Sequence, residues 1–88
     1  MKPILFSQHA LEQMPDRGVS RDEIEAAVRS GELAPAKSER LSYRKNFSFN
    51  STWKGRKYSI KQVMPDVAEG PDNITVVTVY TFFFGGAE

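Results

Sequence analysis

Ser7 and Ser20 each stand where a helix must begin, and Pro15 and Gly18 close the interval between them. That spacing limits the first helix to about three turns. A serine just ahead of an apolar-periodic segment accepts from the backbone N–H groups that a helix leaves unpaired at its start. Phe6 and Leu11 staple the chain around Ser7. Val19 and Ile24 do so around Ser20, where Glu23 completes a capping box. Pro15 and Gly18 are expected to end the first helix and turn the chain into the second, whose inner face carries Ile24, Ala27 and Val28 and whose end is marked by Gly31.

This frame fixes the surroundings of His9, the one histidine in the chain. It falls in the first helical turn, where the positive end of the helix dipole disfavours an imidazolium. Ala10, Leu11 and Met14 share the apolar face, and His9 groups with Glu12 and Gln13 on the other side. Two readings stay open: a surface or capping histidine, or a neutral imidazole serving chemistry.

After Gly31 the pattern changes from helical to alternating, with Pro35 confirming the break. From Leu41 to Asn50, Leu41, Tyr43, Phe47 and Phe49 alternate with Ser42, Arg44, Asn46 and Ser48, which predicts a half-buried strand interrupted by Lys45. Ser51–Gly55 reads as a loop. A second strand follows, in which Tyr58, Ile60, Gln62 and Met64 oppose Lys57, Ser59, Lys61 and Val63, until Pro65 stops or demotes it. Residues 69–73 form a turn. The last run, Ile74 to Phe84, is β-branched and aromatic on both faces, as in a strand covered by helices on one side, and Gly85-Gly86 ends it. The expected fold is α+β: one domain over residues 1–88 with two N-terminal helices on a three-stranded antiparallel sheet, in the order α-α-β-β-β. The other sheet face is left to solvent, substrate or partner, and an apolar remainder there, with Phe83 the candidate, would point to dimerisation or a protein partner.

With 88 residues and no cysteine, the chain has one modest core, no disulfides, no thiolate chemistry and no cysteine-type zinc site. No metal or other cofactor is expected, because a single histidine and scattered carboxylates give no ligand cluster. No phosphate loop, dinucleotide fingerprint or nucleophile elbow is present. The N-terminus lacks a secretory pattern and no apolar run is long enough to span a bilayer, so a cytoplasmic protein without membrane contact is expected.

Charge is segregated along the chain. Residues 37–61 hold Lys37, Arg40, Arg44, Lys45, Lys54, Arg56, Lys57 and Lys61 against the single acid Glu39, while both flanks are acidic. Such a stripe is either a solvated strand surface with lysines guarding sheet edges or a phosphate-tracking patch. The interleaved Tyr43, Phe47, Trp53 and Tyr58 suit the stacking of unpaired RNA bases.

The opening Phe6-Ser7-x-His9-Ala10, Met14, Arg17-Gly18-Val19-Ser20 and Glu23-Ile24, with the closing Val76-Val77-Thr78-Val79-Tyr80, resembles a bacterial domain family of unknown function numbered 4258. That family is similar in turn to the RelE, ParE and BrnT toxins of toxin–antitoxin pairs. The resemblance implies a RelE/BrnT-like fold and a metal-independent endoribonuclease, with RNA, ribosome-associated or not, and a cognate antitoxin as partners. It places His9 and Arg17 in the shared opening and Thr78 and Tyr80 in the shared last strand. Metal-free cleavage needs a proton acceptor, a proton donor and cations where charge builds on phosphorus. The catalytic candidates are therefore His9 as base or acid, Arg44 and Arg56 as phosphate clamps, and Tyr80 as donor. Lys45, Lys57, Lys61 and Trp53 are the candidates for holding the nucleic acid. Arg17 is expected to pair with Asp16 or Glu12 at the turn. The alternative is a module that binds nucleic acid or protein without catalysis.

Overall fold

The computed structural model describes residues 2–34 and 40–86, so Pro35 and Lys37 lie outside the described residues. The elements are β1 (Ile4–Phe6), α1 (Gln8–Arg17), α2 (Arg21–Ser30), β2 (Glu32–Ala34), β3 (Leu41–Trp53), β4 (Arg56–Glu69) and β5 (Ile74–Gly86). They form a five-stranded sheet in the order β1-β5-β4-β3-β2. The expected three-stranded antiparallel sheet is thus corrected to a mixed one, since β1 runs parallel to β5 with Ile4 opposite Ile74 and Phe6 opposite Val76. The two added strands have three residues each. Segments that short complete no readable alternation, and their hydrogen bonds come from partners far along the chain.

Both helix starts form as their caps dictate. The Ser7 side chain accepts from the Ala10 N–H, and Ser20 and Glu23 make a reciprocal capping box. α1, however, runs through Pro15 to Arg17 and stops only at Gly18, which adopts a left-handed φ of 64°. Pro15 removes one hydrogen bond in the last turn but does not end the helix. The Gly18 N–H donates to the Pro15 carbonyl and the Val19 N–H to the Met14 carbonyl, the paired bonds of a Schellman terminus. The left-handed backbone and the Trp53 ring, which would lie 2.6 Å from a Cβ at residue 18, both require glycine there.

The long β3–β4 hairpin turns at Lys54 and Gly55 alone, so the loop expected over 51–55 is mostly strand. One irregularity between Ser48 and Ser51 absorbs the extra length, and Asn50 there takes a left-handed φ of 45°. Pro65 also fails to stop its strand. It is buried in the middle of β4, and the pairing with β3 lapses beside it between Ser42/Asp66 and Lys45/Val63 before resuming in the same register. The pairing thus skips two positions, Tyr43/Pro65 and Arg44/Met64, and the strand stays intact.

Both helices cover one face of the sheet. Ala10, Val19, Ile24, Ala27 and Val28 from the helices meet Val63, Val67, Val76 and Val79, with Leu41, Tyr43 and Phe47 at the margin. Leu11, expected on the inner face of α1, is exposed. Lys61 lies on the covered face at 7% exposure, its ammonium donating to the Gly18 carbonyl at 2.9 Å and to Glu23 at 2.8 Å.

Beyond Val76, β5 has no strand on its outer side, and α1 takes that place with side chains. Ser7 Oγ donates to the Val77 carbonyl, Gln13 Oε1 accepts from the Val79 N–H and the Thr78 hydroxyl, and the Thr81 hydroxyl donates to the Arg17 carbonyl. Gln13→Ala strands two donors on largely buried residues and is expected to lower stability by about 1–3 kcal/mol, read from urea unfolding. A loss near zero would mean that water replaces the glutamine.

Candidate nucleic-acid interface

The face away from the helices carries a different set of side chains in cross-strand rows. Successive side chains of a strand point to opposite faces. With Val63 and Val79 directed into the core, Gln62, Met64, Tyr80, Phe82 and Phe84 fall on the open side. The register sets Met64 opposite Tyr80, Gln62 opposite Phe82 and Ile60 opposite Phe84. On β3, Asn46 faces Gln62 and Ser48 faces Ile60. By continuity of that ladder Arg44 lies beside Met64, so Arg44, Met64 and Tyr80 share one row.

β5 thus presents three aromatic rings at alternate positions, about 6.8 Å apart along the strand. Tyr80, Phe82 and Phe84 are exposed by 38%, 46% and 41%, which is high for rings of this size. The β3 side of the same face is polar, with Gln62 donating to Asn46 at 2.9 Å. Cations flank both sides. The Arg17 guanidinium lies 5.7 Å from the Tyr80 ring centre, and Arg44 is held by Glu32 at 3.1 Å in an exposed ion pair. Such a pair is worth under about 1 kcal/mol, so a phosphate competes for Arg44 at little cost. At the hairpin end Lys54, Arg56 and Lys57 are all exposed.

The residues expected in the site are scattered. Arg44 and Tyr80 share the open face, and Arg56 and Lys57 lie at the hairpin end. His9 does not join them. It is exposed on α1, in the layer on the covered side of the sheet. Lys61 is withdrawn into its ion pair under the helices. Lys45 is also on the covered face, with its ammonium 6.0 Å from the Phe47 ring centre. Trp53 packs against Gly18 and stacks on Phe83 at 5.1 Å and 18°. Lys45, Lys61 and Trp53 therefore serve the covered side: Lys61 shares the parity of Val63 on β4, Lys45 pairs with Val63 across β3, and the Trp53 ring packs against Gly18 and Phe83. Phe83 lies on the covered side too, touching Phe49, Trp53 and Tyr58, so the exposed apolar remainder is Phe82 and Phe84.

Three contributors escaped the sequence reading. Phe82 and Phe84 sit in an unbroken aromatic run where alternation is invisible, because Phe83 between them is equally apolar. Arg17 has no acidic partner among the described residues; it reaches the β5 edge because Gly18 ends α1 beside Thr81. Among the described residues no helix is long and apolar enough to cross a membrane, and no group of His, Cys, Asp or Glu is placed to hold a metal ion.

The family model of a domain of unknown function, DUF4258, matches residues 6–81. No curated protein and no solved structure matches the chain.

Proposed function

Because the chain belongs to the DUF4258 family, a domain of unknown function that brings no activity with it, we propose its role from the surface alone: the open sheet face binds single-stranded RNA without cutting it. The observation that carries this reading is the row of exposed rings at Tyr80, Phe82 and Phe84. Bases of a splayed single strand stack on such rings, and a polar strip with cations alongside takes ribose and phosphate. Arg17, Arg44 and Arg56 are the phosphate contacts, and Asn46 and Gln62 face the sugar edge. The toxin-like cleavage implied by resemblance keeps Arg44 and Tyr80 on this face but separates them from His9, the proton acceptor it assigns, which stands on α1. Binding is therefore favoured over cleavage, in the cytoplasm where such RNA is found.

Fluorescence anisotropy with a labelled single-stranded RNA and a duplex of the same length tests the proposal. Tighter binding to the single strand is expected. A log–log salt slope of roughly −2 to −4 corresponds to three to five phosphate contacts. Equal affinity for both nucleic acids would reduce the face to non-specific charge attraction. His9→Ala is expected to leave binding within about twofold of wild type, because an exposed side chain in the helix layer contributes neither stacking nor a phosphate contact. RNA loss in EDTA that stops in His9→Ala would reinstate cleavage.

A further inference from the structure

At the end of the aromatic row the strands leave a hollow of about 360 Å³ lined by Asn50, Ser51, Lys57, Tyr58, Ser59, Gly85 and Gly86. Gly86, two residues beyond Phe84, takes the next position along the row and contributes no side chain. The register places it opposite Tyr58, which is opposite Ser51 in turn. Both glycines keep the hollow open. Gly85 has a left-handed φ of 69°, and a Cβ on it would overlap the Ser59 hydroxyl, whereas a Cβ on Gly86 meets only the Lys57 carbonyl, at 3.6 Å. The positive φ at Asn50 follows from the irregularity in β3, which brings Asn50 and Ser51 to the rim.

We infer that this hollow is a terminal subsite for one nucleobase, the fourth position of a strand whose preceding three bases lie over Tyr80, Phe82 and Phe84. The inference rests on the RNA-binding reading and adds a site size to it. A base fits the lining better than a bare phosphate does. Two hydroxyls, an amide and strand-end backbone groups offer hydrogen bonds to a base edge, Tyr58, whose ring packs on Phe83, closes one side, and Lys57 is the single charge. Lys57 at the mouth then meets the phosphate of the same nucleotide. The volume is at the small end of ligand pockets and is enough for one ring system.

Labelled oligouridylates of increasing length, titrated against the full chain, provide the test, with Gly86→Val as the variant. That substitution is compatible with the backbone at residue 86 and fills the hollow without touching the three rings. In the wild type, extension from three to four nucleotides is expected to tighten binding about tenfold, with little gain from further nucleotides. In Gly86→Val the step at the fourth nucleotide should vanish while trinucleotide affinity stays unchanged. A step of equal size in both proteins would overturn the subsite and leave the sheet reading standing. Failure of every oligonucleotide to bind the wild type would overturn both. Circular dichroism and the unfolding midpoint of Gly86→Val, expected to match wild type, separate loss of the hollow from loss of fold.

Discussion

Replacing Phe82 and Phe84 together by alanine is expected to weaken single-stranded RNA binding by at least about 30-fold and to leave the protein folded. Each ring removed takes away one stacked base, worth about 1–3 kcal/mol, and the lower bound for two rings already gives that factor. The fold is retained because both rings are more than two-fifths exposed, so each truncation releases less buried area than that of an enclosed ring. Phe83 is the internal control. Its ring lies 5.1 Å from Phe49 and 5.1 Å from Trp53, so Phe83→Ala should cost about 3 kcal/mol or more of stability. Adjacent phenylalanines in one strand are thus predicted to separate function from folding. Affinity of the double variant within about twofold of wild type would mean that the rings do not stack bases.

The largest expected effect on stability comes from a residue that charge counting assigns to the nucleic acid. Lys61→Ala should destabilise the fold by about 2–4 kcal/mol, since it removes the cation from a largely buried ion pair. The lysine joins β4 to the α1–α2 junction, bonding the carbonyl that follows α1 and the carboxylate that caps α2. Its loss leaves Glu23 partly desolvated and the Gly18 carbonyl without its donor. Glu23 keeps a quarter of its side-chain exposure, which sets the estimate below the figure for a fully enclosed pair. In a domain of this size the loss lowers the unfolding midpoint by roughly 10 °C or more. Lys61→Met with Glu23→Gln, which retains the stem, the capping acceptor and charge balance, should recover part of it. A change below about 0.5 kcal/mol in Lys61→Ala would show that water replaces the ammonium without penalty.

Local chemistry was legible in the sequence and long-range pairing was not. The two serine caps, the capping box at Glu23, the end of α2 at Gly31 and the 69–73 turn follow from interactions within a few residues, and each formed where it was read. β1 and β2 owe their existence to partners about seventy and ten positions away, at Ile74 and Arg44, which no local pattern encodes. Pro65 misled because its cost depends on the neighbouring rung, which β4 forgoes. Net charge located the basic hairpin but could not assign faces. Lys61 follows the parity of Val63 into the core because Glu23 waits there, and Phe82 and Phe84 emerge on the open side because Phe83 takes the covered one.

Photocrosslinking of a 4-thiouridine oligonucleotide to the wild-type protein, mapped by peptide mass, asks most directly which side of the sheet meets RNA. Adducts concentrated on residues 80–86 and on Tyr58, lost on competition with unlabelled single strand, are the predicted result. Adducts on α1 around His9, or none that competitor removes, would contradict the assignment of the open face.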